Sequence, residues 1–112
     1  MHGNAGCKLE GESYQELLLP KGINLFCFDF SGCGRSEGDW VTLGYKEKDD
    51  LQTVINYLMS LGTVSKIGLW GRSMGAATSI MYVGQNPESK ISCMALDSPF
   101  SEFTKVTHTM AE

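Results

Sequence analysis

Only two histidines and three prolines occur among the 112 residues, and no stretch is both long and apolar. The longest apolar runs, residues 17–19 and 23–30, are interrupted by Pro20 and Asp29, far short of the ~20 residues a membrane-spanning helix needs. No membrane span is expected. Met1 leads straight into His2, Gly3 and Asn4, which predicts no secretory leader. The formal charge of −4 comes from scattered residues, without the Lys/Arg cluster that would follow a phosphate backbone, so nucleic acid is not an expected partner. The four cysteines, Cys7, Cys27, Cys33 and Cys93, make no CxxC pair and have no histidine at zinc-ligand spacing, so no metal site is expected. Cys27 and Cys93 fall inside predicted strands and read as small buried hydrophobes, whereas Cys33 falls in a loop and is expected to be exposed. Cysteines used in this way point to a reducing, cytoplasmic compartment. The length allows one domain, and no internal repeat or low-complexity run is present.

Glycine, in contrast, is plentiful, and the most informative cluster is Gly71-Arg72-Ser73-Met74-Gly75, a G-x-S-x-G pattern. A short apolar run over residues 67–70 precedes it, and Ala76, Ala77, Ile80 and Met81 follow at helical spacing. This is the strand, sharp turn and helix in which such a serine acts as a nucleophile. On a turn this tight the serine is forced toward positive φ, and side chains at positions 71 and 75 would collide. A helix starting directly after Ser73 would also aim free N–H groups, Met74's first, at negative charge developing on a bound substrate. Ser73 is therefore the candidate nucleophile and the Met74 N–H a candidate oxyanion donor.

Around this centre the chain reads as α/β. A loop over residues 2–6 and a short helix over 11–19, closed by Pro20, Lys21 and Gly22, precede residues 23–30, whose aromatic-rich apolar run predicts a strand buried on both faces. Residues 31–44 form a long glycine-containing loop. A helix is expected from Tyr45 to Gly62, with Leu51, Val54, Ile55, Leu58 and Met59 on its apolar side. Residues 66–97 have the length of a βαβ unit, which implies parallel strands at 67–70 and 91–96, a helix between them ending near Gly84, and a right-handed crossover. Ser98 and Pro99 resemble a helix start, with Phe103, Val106 and Met110 on one side. The glycines at 32, 34 and 38 partly match a dinucleotide-binding fingerprint. However, residues 39–44 separate them from the next helix, so the helix N-terminus that would meet a phosphate is missing.

Four segments together resemble the α/β-hydrolase superfamily, in particular its serine aminopeptidase-like and Bem46-like branch. They are His2-Gly3-Asn4-Ala5-Gly6, the D-x-x-G-x-G-x-S-x-G pattern carried by Asp29, Gly32, Gly34, Ser36 and Gly38, the G-x-S-x-G around Ser73, and Leu96-Asp97-Ser98-Pro99-Phe100. Ser31 stands where that branch usually has arginine or histidine. The resemblance implies a three-layer αβα fold with parallel strands and a nucleophile elbow. It also implies a second oxyanion donor, the N–H of Asn4, in the segment after the third strand, and acyl transfer to water on a small-molecule or peptide ester, thioester or amide without a cofactor.

The family order is serine, then acid, then histidine, with the last two usually after the seventh and eighth strands. A chain ending at Glu112 has room only for the fifth and sixth strands after Ser73, so it is expected to be a central part of the fold that lacks N-terminal and C-terminal strands. Asp97 closes the neighbouring strand, about 4.8 Å away, and offers one substitute acid. His108 falls more than two turns into the last predicted helix, each turn carrying it about 5.4 Å farther off. His2 is implied to brace the oxyanion loop. The third strand, represented by Met1 alone, would leave residues 23–29 and 67–70 about 9.6 Å apart, with unpaired backbone facing the gap. Three remedies are open: the strands close up, a second chain donates a strand, or the protein extends at both ends. Two functions follow, a serine hydrolase needing segments outside this chain, or a non-catalytic binding or assembly module that self-associates through open sheet edges.

Overall fold

The computed structural model describes residues 1–99. The 3₁₀ turn Lys8–Tyr14 runs into a single α-helical turn, α1 (Gln15–Leu18), and a further 3₁₀ turn, Leu19–Lys21, which ends at Gly22 in a left-handed conformation with φ 76°. The expected short helix is thus present as three tight turns. None of the three has a side-chain cap, and Gly11 lies within the first, so little favours a continuous helix there.

Helix α2 (Glu47–Ser60), strand β1 (Ile67–Arg72), helix α3 (Met74–Gln85) and strand β2 (Ile91–Asp97) follow in the expected order. The two strands are parallel: Ile67 lies opposite Ile91 and, after a one-residue shift that skips Ser92, Gly68 to Arg72 lie opposite Cys93 to Asp97. Leu51 of α2, Leu69 of β1 and Tyr82 of α3 form one buried cluster on one face of β1. On the other face Trp70, the next residue of the strand, stacks on Tyr14 with ring centroids 4.2 Å apart. Alternation along β1 therefore turns Leu69 toward the α2–α3 side and Trp70 toward the opposite side. A second cluster, Phe30, Cys33 and Met74, lies under the loop after residue 30, and Met1 and Phe28 touch both clusters.

Residues 23–30 correct the sequence reading. They are not a strand, and among the described residues the sheet has two strands, not three. The expected central strand is reduced to Met1, whose amino group donates to the Trp70 carbonyl and whose carbonyl accepts from the Arg72 N–H at 3.1 Å. One residue pairs with β1 but presents no ladder on its far side, so residues 23–30 are held by side chains. Phe28 and Phe30 meet edge to face at 5.1 Å, and the Phe30 N–H donates to His2 Nε2 at 3.1 Å. The strands have not closed up. Burial also lowers the pKa of the Met1 amino group, the cost of placing a charged terminus inside a sheet.

The expectations for Cys33 and Cys93 are reversed. Cys33 is buried under the loop against Phe30 and Met74, Cys27 is half-buried, and Cys93 is exposed because β2 is an edge strand with uncovered residues along most of its length. All four are free thiols, and burial pushes the Cys27 and Cys33 thiols up. The helix predicted after Ser98, with Phe100 and His108, lies outside the described residues.

Glu47 holds the long loop to α2. Its side chain is buried, yet it accepts from the Thr42 N–H at 3.0 Å, the Thr42 hydroxyl at 2.5 Å and the Gly44 N–H at 2.9 Å. Burial works to raise its pKa, but these donors outweigh that and hold it below the ordinary glutamate value. Asp29 is lowered likewise, by the backbone N–H groups of Lys8 and Arg35. Because both folded-state pKa values are depressed, their contribution is full above the unfolded carboxylate range and is lost progressively as pH falls below it and through the lower folded values. Thermal unfolding followed from pH 7 to 3 should show Tm falling below about pH 4.5, with a shallower fall in Glu47→Gln. Glu47→Ala, which strands three donors, should cost about 3 kcal/mol in chemical denaturation.

Candidate active site at the turn between β1 and α3

Between the last residue of β1 and the first of α3 stands Ser73, with φ 51° and ψ −106°, outside the regions an L-residue prefers. Its backbone is held from both sides: its N–H donates to the Asp97 carbonyl at 2.8 Å, and its carbonyl accepts from the Ala77 N–H at 3.0 Å. The two glycines of the motif are required by contact. A Cβ on Gly71 would overlap the Gly75 carbonyl, and one on Gly75 would overlap the Met1 carbonyl. Three backbone segments thus meet within van der Waals distance around the serine.

Helix α3 is buried from Met74 to Ser79. The buried Thr78 and Ser79 hydroxyls donate to the Met74 and Gly75 carbonyls at 2.7 and 2.9 Å, so neither is left unsatisfied. The Met74, Gly75 and Ala76 N–H groups, by contrast, have no hydrogen-bond partner among the described residues. They are the free donors expected at a helix start.

Asn4 lies at the exposed tip of a turn closed by the Gly6 N–H to the Gly3 carbonyl at 3.0 Å, with Ala5 at φ 59°. This turn packs beside the serine's strand: a Cβ on Gly3 would lie 3.0 Å from Arg72 Nη2 and 3.5 Å from the Arg72 carbonyl. Glu10 bridges the two, accepting from Gly3 N–H at 3.2 Å, Arg72 Nη2 at 2.7 Å and Arg72 Nε at 3.3 Å. Hydrogen bonding to Arg72, the largest effect, lowers the Glu10 carboxyl below its ordinary range. His2 is buried and committed to backbone, Nδ1–H to the Gly3 carbonyl at 2.8 Å and Nε2 accepting from Phe30. With both ring nitrogens engaged it cannot take a proton from Ser73 without breaking one of these bonds.

The Asp97 carboxylate is exposed and accepts from the Ser98 hydroxyl at 2.9 Å, while its main-chain carbonyl is what touches Ser73. The structure therefore brings together Ser73, Met74 and the turn bearing Asn4, and leaves Asp97 bracing the bend at Ser98. Among the described residues no group of three His, Cys, Asp or Glu side chains converges as a metal site would require. Glu10 and Asp50 were not visible as site-ordering residues in the sequence. Asp50 accepts from the Ser31 N–H at 2.8 Å and its hydroxyl at 2.9 Å, tying the start of the long loop to α2. The only signal for either was an acid placed near a glycine-rich loop.

Backbone strain at Ser73 makes a test that needs no substrate. Ser73→Gly should stabilise the fold by about 1 kcal/mol in chemical denaturation, by relieving positive φ. Gly75→Ala should destabilise it by about 3 kcal/mol or more, because the obstructing atoms are backbone and cannot swing aside.

Similar proteins place this geometry in a family. The chain is 33% identical over 103 residues to the uncharacterised protein YqkD of Bacillus subtilis, covering 91% of this chain and 34% of that one. It is 30% identical over 90 residues to the protein bem46 of Schizosaccharomyces pombe, covering 79% and 29% respectively. It therefore spans about a third of the length of the curated relatives it matches. Among solved structures, an esterase of Pyrococcus furiosus superposes with a TM-score of 0.78 at 33% identity, over 88% of this chain and 40% of the esterase. A monoacylglycerol lipase of Paleococcus ferrophilus superposes with a TM-score of 0.74 at 24% identity, over 99% of this chain and 44% of the lipase, a likeness of fold. With its residues 1–111 matching the model of the alpha/beta hydrolase fold, the chain belongs to the α/β-hydrolase family.

Proposed function

We propose that Ser73 is the nucleophile of a serine hydrolase that transfers an acyl group from an ester, thioester or amide to water. The observation that carries the reading is the backbone of Ser73, strained to φ 51° at the start of a helix whose first N–H groups have no partner among the described residues. In the reaction Ser73 Oγ attacks the substrate carbonyl carbon and loses its proton to a base. The oxyanion is met by the N–H groups of Met74 and Asn4, and the leaving group departs with that proton. Water, deprotonated by the same base, then attacks the acyl-serine, and the acid is released as Ser73 Oγ takes that proton back from the base. No cofactor enters the scheme. The base and its orienting acid belong to parts of the protein that this chain does not span. Substrates are small acyl compounds or peptides, and a reducing cytoplasmic setting suits four free thiols. No helix among the described residues is long and apolar enough to cross a membrane.

A second reading, a non-catalytic binding or assembly module, is favoured by two observations. His2 is committed to backbone, and the far edge of β1 is met only by Met1 among the described residues, leaving sheet edge open for pairing with another chain.

A fluorophosphonate probe separates the two. The 112-residue chain, its Ser73→Ala variant and the longer polypeptide from an extended reading frame would each be labelled. Labelling that requires Ser73 in the longer polypeptide alone is the expected result, with ester hydrolysis reduced by about 10⁴-fold or more in Ser73→Ala. Absence of Ser73-dependent labelling in both folded forms sinks the hydrolase and leaves the module.

A further inference from the structure

Glu10 lies seven residues from Gly3 and 62 from Arg72, yet one carboxylate serves both. Its fit is close: a Cβ on Gly6 would run into the Glu10 carboxylate, and one on Gly3 would press on the Arg72 guanidinium. The turn, the carboxylate and the guanidinium therefore form one packed unit directly before Ser73. This pair is a weak stabiliser of the fold as a whole. The Arg72 and Glu10 side chains are 48% and 29% exposed, and ion pairs in such surroundings contribute little net stability. What it does supply is geometry. Arginine offers two N–H donors in a rigid fork, and only a carboxylate can accept both and still take a third bond from Gly3.

We propose that Glu10 is a positioning residue, whose carboxylate clamps the turn carrying Asn4 to Arg72 and so fixes the Asn4 N–H relative to Ser73. This rests on the reading of Ser73 as nucleophile and Asn4 as oxyanion donor. Asn4 itself is exposed at the tip of its turn, so its N–H is held only as firmly as the turn beneath it. A displacement of about 1 Å in such a donor is enough to lower a rate by about 100-fold.

Two measurements test the clamp and its consequence separately. In the ¹⁵N-labelled 112-residue chain, the Gly3 amide proton should shift as Glu10 protonates below the ordinary glutamate range, and this step should vanish in Glu10→Gln. Arg72 from β1, His2 from the turn and the Met1 amino group are the other charged or titratable groups acting on or coupled to Glu10, so the variant isolates the step that belongs to it. In the form of the protein with Ser73-dependent ester hydrolysis, Glu10→Gln should lower kcat about 10- to 100-fold with KM within about twofold, the signature of an interaction made only in the transition state. Arg72→Lys should give a smaller loss, and the double variant should lose no more than Glu10→Gln alone. A Gly3 amide that ignores Glu10 overturns the clamp whatever Ser73 does. A Gly3 amide that follows Glu10, with kcat unchanged in the variant, overturns the positioning role. If Gly3 follows Glu10 but no form shows Ser73-dependent hydrolysis, the nucleophile reading fails and the positioning role fails with it.

Discussion

Backbone touching backbone without side chains between them is the constraint on which this structure depends. The Met1 carbonyl rests on Gly75, and Gly75 rests on Gly71. That approach fixes where α3 starts, because the chain leaving β1 has no room to continue and must turn through Ser73. The free N–H groups at the head of α3 and the strained serine beside them are consequences of one steric fact. The Met1 carbonyl contributes twice, since it also accepts from Arg72 and so aligns the end of β1 with the turn that follows.

Around this centre the loops are ordered by carboxylates. Glu47 gathers Thr42 and Gly44, Asp29 gathers Lys8 and Arg35, Asp50 gathers Ser31, and Glu10 gathers Gly3 and Arg72. Each takes at least one main-chain N–H that has no strand or helix ladder to satisfy it. Beyond the cluster of Phe30, Cys33, Val41 and Leu43 against Met74, the loops are held by charge-assisted bonds where the helices rely on packing. Burial argues against ionising Glu47, and the donors that converge on it settle the balance in favour of the charged form.

Local pattern made much of this legible. The apolar spacing of α2, the run before Ser73 and the helix after it all depend on neighbours within a few residues, and their bounds fall close to expectation. The parallel pairing of β1 with β2 followed from the length of the connection. Residues 23–30 have the composition of a buried strand, but a strand also needs a partner, and pairing depends on what lies beside a segment in space. Cysteine burial failed for the same reason: Cys93 sits in a strand, yet the strand is at an edge, and Cys33 sits in a loop that folds over Phe30 and Met74. At the site, Ser73, Met74 and Asn4 could be named from motif and resemblance. Glu10 could not, because no periodicity links a glutamate to an arginine 62 positions later.

That separation bears on the order in which the molecule assembles. The β1–α3–β2 unit closes over a short connection and can form early, whereas the contacts that complete the surroundings of Ser73 join residues 62 and 69 positions apart, Glu10 to Arg72 and Met1 to Trp70. Loop-closure entropy must be overcome before such contacts return anything, so they come late on the folding pathway. The turn at Ser73 therefore starts to form within β1–α3–β2 and is completed when Met1 seats against Gly75. The arm that faces it, held by polar bonds and by the packing of Met1 and Tyr14 against β1 and the core, docks late.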